Sequence, residues 1–348
     1  MNSPEAGPET VLSVIMPNYN HAEYVSTALT AILAQTVLPD EIIIIDDGST
    51  DDSRALIESW MSREARVRGI FNDSNRGAIA RINQGLQAAR GRYVCLMAAD
   101  DVAYPNFFAE ALTALDRAPD VALFCAEAHV QSMDLPQQAP EVRPVIRPSH
   151  QAKSFSPAET RDLLRYNDNF VTPLAAVFRR SMILEEGGFD PDLGSMADGF
   201  LSKRLALKHG FCFSPEVVAK WQVRGSGLSR TNTRDPHSVR DMLEKAQKRF
   251  AADPVFPPDY SETFNRRWRF ATCRVALATA PPDWDFVSEI GPGNPIDRYV
   301  FSVAQRSGAR MGAYLALIWL TVRYRPYSLL AMAETYAHRR WEMVINRK

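Results

Sequence analysis

The sequence predicts an α/β fold in which a mostly parallel, Rossmann-like sheet is flanked by helices and followed by a helical C-terminal region. Three observations lead to this prediction. Short apolar runs typical of buried strands alternate with segments of helical spacing over the first third of the chain. The connections between them are short, so consecutive strands are expected to run parallel with right-handed crossovers. Beyond Arg230 the spacing is helical throughout.

The alternation begins with an apolar strand, Val11 to Met16, which ends at Pro17. Four consecutive isoleucines make Glu41 to Ile45 a second strand, because β-branched runs are typical of strands covered on both faces. In the same half we predict further strands over 67–71 and 92–97, and helices over 23–35, 53–61, 75–89 and 104–115.

The chain changes character between Gln131 and Pro157, where five prolines occur in a polar context. Two interpretations stay open for this excursion, a flap near the site and a plain surface loop. After it we predict helices near 158–166 and 198–208 and strands near 174–178 and 217–223. The C-terminal region is predicted to form helices near 240–251, 262–278, 297–306, 310–323 and 327–343.

Composition excludes several classes of protein. The chain has 348 residues, a formal net charge of -1 and 46% hydrophobic residues, so it can bury a large core and is not built to coat nucleic acid. Its four cysteines lie far apart and favour buried thiols in a reducing compartment. The first residues lack the pattern of a secretory signal, and the longest apolar run, Met311 to Val322, is too short to span a bilayer. We therefore expect a cytoplasmic protein.

Polar residues follow three of the predicted strands. Pro17-Asn18-Tyr19-Asn20 follows the first, Asp46 to Asp51 the second, and Asp100-Asp101 the fourth. Open α/β sheets bind ligands at the carboxyl ends of their strands. A carboxylate pair suits Mg²⁺ or Mn²⁺, which also binds phosphate oxygens and neutralises charge on a departing diphosphate. Each motif alone is commonly a turn or a helix cap, so the prediction rests on their joint order.

These motifs together resemble the family 2 glycosyltransferases, which have the GT-A fold, over about residues 11–230. The resemblance implies that the first-strand loop, with Pro17, Asn18 and Tyr19, borders the nucleotide base and that Asp47 contacts uracil or its equivalent. It also implies that Asp100 approaches the ribose and the metal and that Asp101 ligates the metal.

Arg76 and Arg81 lie in a segment that resembles the family's Asn-x-Gly region. Either can reach the diphosphate, and a solvated helix face is the alternative for each. The chain departs from the family pattern at Ala98 and Ala99, where one of the two stands in place of the first aspartate of the DXD motif.

The second half resembles the acceptor side of the family. Gly187-Gly188-Phe189-Asp190 followed by Asp198 is similar to the family's Gly-Gly-Phe-Asp and Glu-Asp motifs, which implies that Asp198 is the catalytic base of an inverting transfer. Asp192 is a weaker candidate, and Asp190 is expected to brace a turn. Ala197 replaces the usual glutamate.

Arg224 stands where the family often has histidine, just before a Gly-Ser-rich stretch. An arginine cannot ligate a metal, but its charge can clamp the diphosphate. The stretch after it is either a loop that closes over the donor or an ordinary turn.

The sequence thus predicts a catalytic domain over residues 1–230, with a nucleotide-binding half over about 11–130 and an acceptor half over about 157–230, followed by a helical region over 231–348. Its function would be an inverting transfer from a nucleotide diphosphate-sugar, UDP-sugar favoured, to a hydroxyl of a glycan or lipid-linked acceptor. Family analogy favours surface polysaccharide or lipopolysaccharide biosynthesis. The alternatives are a sugar nucleotidyltransferase and a non-catalytic binding protein with a degenerate transferase fold.

The C-terminal helices match no motif. Met311 to Val322 is apolar and is flanked by Arg310, Arg323 and Arg325. Two interpretations stay open: a helix that packs on the catalytic domain or on a second subunit of a homo-oligomer, which is favoured, and a helix that lies on the inner face of an anionic membrane near a lipid-linked acceptor.

Overall fold

The computed structural model describes residues 11–134, 136–224, 235–326 and 328–345. Contacts within the chain divide it into two compact units, which we describe separately. The first comprises Met1–Thr160 and Asn169–Val223, and the second comprises Arg161–Asp168 and Arg224–Lys348.

The first unit contains a ten-stranded sheet. Its strands, in chain order, are β1 (Leu12–Asn18), β2 (Glu41–Asp46), β3 (Val67–Phe71), β4 (Tyr93–Leu96), β5 (Val102–Ala103), β6 (Leu123–Ser132), β7 (Glu141–Arg143), β8 (Lys153–Phe155), β9 (Ala176–Arg179) and β10 (Phe211–Val223).

Seven α-helices lie among the described residues of this part of the chain, and the last three residues of the fifth belong to the second unit. They are α1 (Ala22–Leu33), α2 (Ser53–Arg63), α3 (Ala78–Ala88), α4 (Phe107–Arg117), α5 (Pro157–Leu163), α6 (Arg180–Glu185) and α7 (Ala197–His209). Two 3-10 helices, Pro173–Ala175 and Pro191–Met196, precede β9 and α7.

The core of this unit forms where the sequence is most apolar. The four isoleucines of β2 are fully buried, because helices cover both faces of the strand. The buried residues of α1, Val25, Ala28, Leu29 and Ile32, recur at helical spacing and belong to the same core cluster as the strands. The α/β fold class predicted from the sequence is therefore confirmed.

Strand direction differs between the two halves of the sheet. The strands follow the order β3-β2-β1-β4-β9-β6-β10-β5, with β7 added to β6 and β8 to β10. The first four run parallel, as predicted. In the second half β9 pairs antiparallel with both β4 and β6, and β5 and β8 pair antiparallel with β10. The sheet is therefore mixed, since apolar periodicity predicts strands but carries no information on their direction.

The proline-rich excursion is fastened to the sheet. It contains the short strands β7 and β8, which lie antiparallel to β6 and β10. Arg147 forms a bidentate ion pair with Glu127 of β6, at 2.8 Å from Nε to Oε1 and 2.9 Å from Nη2 to Oε2. Both side chains are buried. Removing one partner of such a pair leaves an uncompensated charge, so this contact holds the excursion in place.

The second unit is helical in its described part. Its helices are α8 (Pro236–Ala252), α9 (Tyr260–Leu277), α10 (Trp284–Ile290), α11 (Pro295–Arg306), α12 (Ala309–Tyr324) and α13 (Leu329–Ile345). No helix among the described residues is long and apolar enough to cross a bilayer.

Arg267 organises the interior of the second unit. Its buried guanidinium donates to the carbonyl oxygens of Pro326, Leu164 and Arg165, and it lies 3.2 Å from Asp168 Oδ1. Tyr260 donates its hydroxyl to the other oxygen of the same aspartate. Burial and the Asp168 carboxylate raise the pKa of Tyr260 well above its ordinary value.

Several elements are absent from the sequence prediction or differ from it. The structure adds strands β5, β6, β7 and β8 and helices α6 and α10, none of which was predicted. It also extends the strand predicted near 217–223 back to Phe211. Pro215 argued against a strand at this point in the sequence, because proline in sheets is confined to edges and bulges. The register of β10 against β6 shifts between Ser214 and Val217, and this irregularity accommodates the proline.

Candidate active site at the carboxyl edge of the sheet

The loops after β1 and β2 are joined by hydrogen bonds. The strands pair Asn18 with Asp46, and Asn18 Nδ2 donates to Asp46 Oδ2 at 2.8 Å and to Ser49 Oγ at 3.2 Å. Ser49 Oγ also accepts the backbone N–H of Asn20, while Thr50 N donates to Asn20 Oδ1. Asn20 adopts a left-handed conformation with φ of 54°, which asparagine tolerates better than most residues. The two predicted motifs, Pro17 to Asn20 and Asp46 to Asp51, therefore form one polar surface, which we call the ledge.

Within this ledge the predicted residues differ in exposure. Asn18 is buried, and its Oδ1 has no hydrogen-bond partner among the described residues. Pro17 is half-buried within β1. Tyr19 is 41% exposed, so its ring is accessible to a ligand.

The Asp47 carboxylate is held by three groups of one loop and helix. It accepts the backbone N–H groups of Arg76 and Gly77 at 2.9 and 2.8 Å, and Arg81 Nε at 2.5 Å. The side chains of Asp47 and Arg81 are only 4% and 7% exposed. Gly48, with φ of +76°, lets the backbone of Ser74 approach so closely that a Cβ would meet it at about 3.0 Å. Asp47 thus fixes the loop that precedes α3.

Arg81 and Arg76 have different positions. The remaining guanidinium nitrogens of Arg81 donate to the Asn72 side chain at 2.8 Å and to the Ser74 carbonyl at 2.6 Å. Because this guanidinium is buried and engaged with Asp47 and its loop, we revise the expectation that Arg81 reaches a diphosphate. Arg76 is exposed at the start of the same helix, where its side chain is accessible.

Asp100 and Asp101 lie in the turn between β4 and β5, beside the end of β10. Gln222 of β10 donates its backbone N–H to Asp101 Oδ1 at 3.2 Å and its side-chain amide to the Asp100 carbonyl at 2.5 Å. Asp101 is buried and Asp100 is half-buried. The second half of the sheet therefore helps to position the carboxylate pair that follows its first half.

The Gly-Gly-Phe-Asp segment is attached to α3. Asn83 accepts the Phe189 N–H at 2.9 Å and donates to the Phe189 carbonyl at 2.8 Å. Gly188 has φ of +85°, and a Cβ there would come within 2.7 Å of Asn83 Oδ1, so glycine meets both the conformation and the close approach. Asp190 caps the following 3-10 helix by accepting Asp192 N, which confirms that it braces a turn.

Asp198 lies in the first turn of α7, after the 3-10 helix Pro191–Met196 that follows this segment. Its Oδ1 accepts the Gly199 N–H at 2.5 Å. Burial raises the pKa of the Asp198 carboxyl, while the Gly199 hydrogen bond and the Lys203 ammonium act in the opposite direction. A carboxylate whose pKa moves up towards neutral pH is a better general base than an ordinary aspartate.

Helix α3 connects the loop around Asp47 with the Gly-Gly-Phe-Asp segment. Asp47 contacts Gly77 just before α3, and Asn83 of α3 holds the segment that leads to Asp198. The step of six residues from Gly77 to Asn83 corresponds to about 9 Å along a helix axis. Arg224 directly follows β10 and is half-buried. The Gly-Ser-rich stretch from Gly225 to Ser229, predicted to be either a closing loop or an ordinary turn, lies outside the described residues.

Sequence reasoning missed Gln222, Asn83 and Lys203 as parts of this site. Gln222 and Asn83 contact residues that are distant along the chain, and Lys203 lies about one helical turn after Asp198. None of the three stands in a sequence pattern typical of catalytic or ligand-binding residues. Asn83 carried the only usable signal, since a polar residue in the middle of an apolar helix face needs a hydrogen-bond partner.

The donor set fits a divalent cation. Two adjacent carboxylates, one of them buried, offer hard oxygen ligands, and Mg²⁺ commonly takes one or two carboxylates and completes its coordination with substrate phosphates and water. Asp100 and Asp101 are the residues that would hold such an ion.

Residues 13–186, half of the chain, match the family described as Glycosyl transferase family 2. An uncharacterized protein of Mycobacterium tuberculosis, MT1568, is 27% identical over 71% of this chain and 77% of its own length. The glycosyltransferase GlyG of Streptococcus pneumoniae is 35% identical over 28% of this chain and 32% of its own length. The putative teichuronic acid biosynthesis glycosyltransferase TuaG of Bacillus subtilis is 34% identical over 26% and 36% of the two chains. The chain thus spans only about a third of the length of GlyG and TuaG.

Solved structures share the fold over most of the chain. TarS 1-349 of S. aureus in complex with UDP-GlcNAc has a TM-score of 0.60 at 16% identity and covers 90% of this chain and 91% of its own. The mannosyltransferase PcManGT of Pyrobaculum calidifontis, in complex with GDP-Man and Mn2+, has a TM-score of 0.55 at 21% identity and covers 91% and 88%. With the matched family and the motifs at the sheet edge, the chain belongs to glycosyl transferase family 2 and is a glycosyltransferase.

Proposed function

We propose that this glycosyltransferase moves a sugar from a nucleoside diphosphate-sugar to a hydroxyl acceptor with inversion at the anomeric carbon. One observation carries the proposal: α3 joins the loop around Asp47 to the segment that leads to Asp198. A nucleotide on the ledge after β1 and β2 would direct its sugar towards the half-buried carboxylate of Asp198.

The donor would bind in the first half of the unit, about residues 11–130. Tyr19 and Pro17 would border the base, and the unpartnered, buried Oδ1 of Asn18 would accept a hydrogen bond from the nucleotide, since an unpaired buried acceptor is costly. Asp47 would act chiefly by shaping the loop that presents Arg76 to the diphosphate. A uridine nucleotide is our first expectation, and TarS with UDP-GlcNAc has a similar fold.

Asp100 and Asp101 would hold Mg²⁺ or Mn²⁺, which when bound neutralises negative charge on the diphosphate. The mannosyltransferase of similar fold was solved with Mn2+. Arg224 follows the strand that contacts this carboxylate pair, and its permanent charge would share the stabilisation of the leaving group. The reduced DXD motif leaves fewer carboxylate ligands than the family pattern provides.

Asp198 would act as the general base. It would take the proton of the acceptor hydroxyl while that oxygen forms a bond to the anomeric carbon, and the bond from this carbon to the diphosphate oxygen would break at the same time. The nucleoside diphosphate leaves with the bonding electron pair. The acceptor would lie over the second half of the unit, about residues 157–230.

We infer that the acceptor is a glycan or lipid-linked saccharide of a surface polysaccharide or lipopolysaccharide, assembled on the cytoplasmic side of a membrane. The partial likeness to TuaG supports a cell-envelope polymer. The residues 231–348 would form a separate helical region with its own role.

A thermal-shift screen tests the donor proposal. UDP, GDP and ADP are added to the full chain with and without Mn²⁺, and binding to the folded state at about 100 times Kd should add about 2.7 kcal/mol of stability. We expect UDP with Mn²⁺ to raise Tm by several degrees and Asp101→Asn to remove the dependence on Mn²⁺. Asp120→Asn, an exposed carboxylate before β6, is the matched control and should respond like the parent. No shift with any diphosphate in the presence of Mn²⁺ would overturn the proposal.

A further inference from the structure

Helix α12 presents an uninterrupted apolar face to solvent. Its face residues are Met311, Tyr314, Leu315, Ile318 and Val322, which are 40–67% exposed. They recur at intervals of three and four residues and therefore form one stripe. The opposite face is buried through Gly312, Ala316, Leu320 and Tyr324. The stripe contains no charged residue, which is unusual for the solvent-facing side of a helix.

Helix α11 repeats this arrangement. Ile296, Tyr299 and Val303 are 63%, 70% and 42% exposed and lie on one face, while Phe301 and Ala304 are buried. A short turn connects α11 to α12, and Gly312 lets the two helices pack closely, because a Cβ there would meet the carbonyl of Ala304 at 2.2 Å. Together they form an apolar hairpin, which we define as residues 295–325.

The charges of the hairpin have one sign at its surface. It carries five arginines and one acidic residue, whereas the whole chain has a formal net charge of -1. The acidic residue, Asp297, is fully buried and accepts the Trp319 indole N–H at 2.9 Å. Arg323 pairs with Asp297, at 3.4 Å from Nε to Oδ1, and the other four arginines, Arg298, Arg306, Arg310 and Arg325, are exposed. An apolar stripe bordered by arginine is complementary to an anionic lipid surface, where each basic residue adds to binding.

A groove opens beside the stripe. It has a volume of about 690 Å³ and lies between the end of α9 and the start of α12. Leu277, Pro281 and Leu317 give it an apolar lining, while Arg274 and Arg310 supply positive charge. Arg310 and Tyr314 belong to both the groove and the hairpin, so apolar surface and basic groups are continuous between them. Such a groove can take an acyl chain or a phosphate headgroup.

We propose that the hairpin docks on an anionic phospholipid surface, with the apolar stripes of α11 and α12 in the interfacial layer and the arginines at the level of the headgroups. A second copy of the chain is the other candidate occupant. A symmetric contact would bring the arginine-bordered stripe against itself, and like charges in such a contact repel. Charge complementarity therefore favours lipid. The proposal does not depend on the identity of the sugar donor.

Vesicle flotation with the purified full chain tests the proposal. One set of vesicles is phosphatidylcholine alone, and the other is an equimolar mixture with phosphatidylglycerol. We expect the parent protein to float with the anionic vesicles and to bind the neutral ones at least about tenfold more weakly. Arg306→Gln with Arg310→Gln should weaken binding to the anionic vesicles by about fivefold for each arginine removed.

Met311→Asp with Ile318→Asp should weaken binding to both kinds of vesicle by more than about tenfold, because it places charge in the stripe. Leu38→Asp, at a 40% exposed apolar residue of the first unit, is the matched control and should bind like the parent. Equal binding by the parent and the stripe variant would overturn the proposal, as would a parent that does not float. Sedimentation velocity that shows a dimer dissociated by the stripe variant, without vesicle binding, would assign the face to a second copy instead.

Discussion

Two aspartates of the first unit, Asp47 and Asp198, stand in contrasting surroundings. Asp47 accepts two backbone N–H groups and the guanidinium of Arg81, so its negative charge is fully compensated within the fold. Among the described residues, Asp198 accepts a hydrogen bond from Gly199 N–H, and burial raises the pKa of its carboxyl. The first environment stabilises a carboxylate that shapes a loop. The second environment raises the proton affinity of a carboxylate, as a general base requires.

The contrast separates two roles that sequence motifs alone do not distinguish. Both aspartates stand in motifs that resemble the same family, and both were expected to contact substrate. Their hydrogen-bond partners indicate instead that loss of Asp47 should act mainly on folding and loss of Asp198 mainly on chemistry. The predictions below would break or sharpen this distinction.

The largest effect is expected for Asp198→Asn. Because the base is removed, turnover should fall by about a thousandfold, while the Kd for the nucleoside diphosphate stays unchanged. Steady-state kinetics and calorimetric titration measure the two quantities. Asp192→Asn, the weaker candidate four residues after Gly188, is the control and should keep turnover near that of the parent. Equal turnover in the two variants would remove Asp198 from the chemistry.

The raised pKa of Asp198 also fixes the direction in which the same variant should change the stability of the fold. The pKa of Asp198 is raised in the folded state. The free energy of unfolding therefore falls as pH rises from the ordinary pKa of 3.8 through the pKa in the folded state. At neutral pH Asp198→Asn should therefore be at least as stable as the parent in urea unfolding. A clear loss of stability would mean that the carboxylate is structural, like Asp47.

Asp47→Ala should destabilise the fold by about 3–5 kcal/mol, because it leaves the buried guanidinium of Arg81 uncompensated. Denaturant unfolding measures this loss. The double substitution Asp47→Leu with Arg81→Met removes both charges and should recover much of the stability. As a control, Asp51→Ala removes a carboxylate that accepts the N–H groups of Ala22 and Ser53 and should cost about 1 kcal/mol. Similar losses for Asp47→Ala and Asp51→Ala would contradict the structural role of the Asp47–Arg81 pair.

Asn83→Ala should cost about 1–3 kcal/mol, because it leaves the N–H and carbonyl of Phe189 without their partner. We also expect turnover to fall more than donor affinity, since the segment that positions Asp198 loses its attachment to α3. Gln87→Ala, at an exposed position of the same helix, is the matched control. A variant that loses donor affinity but keeps its turnover would assign Asn83 to the donor instead.

The smallest effect concerns Lys203. Its ammonium lowers the pKa of Asp198, so Lys203→Met should move the acidic limb of the pH–rate profile upwards by less than about one pH unit. The profile of turnover against pH measures this shift. Movement of the limb in the opposite direction would contradict the assignment of that limb to Asp198.

The sequence predicted the first half of the sheet well, because its strands are nearly continuous apolar runs. The isoleucines of β2 allow few other structures, and the site motifs follow directly from such strands. Strand β6 was missed, since Glu127, His129 and Gln131 interrupt its apolar residues. Glu127 is neutralised by Arg147, twenty residues further along the chain, and a local pattern cannot anticipate that partner.

The site was predicted as a set of motifs but not as a set of contacts. Asp47, Asp101 and Asp198 could be named because each stands in a motif. The partners of two of them, Arg81 for Asp47 and Gln222 for Asp101, depend on how distant segments meet in three dimensions. The exposed face of α12 was likewise ambiguous in sequence, because an apolar helix can be buried or can lie at a surface.

The anomeric configuration of the released sugar tests the central claim most directly. A single carboxylate base at Asp198 requires one displacement. With water as the acceptor, hydrolysis of an α-linked sugar donor that carries the nucleotide selected by the thermal-shift screen should therefore release the β anomer of the free sugar. Proton NMR of the product in the first minutes of the reaction, before the free sugar equilibrates, distinguishes the two anomers. We expect the β anomer from the parent and almost no product from Asp198→Asn. An initial product with retained α configuration would contradict a single displacement with Asp198 as the base.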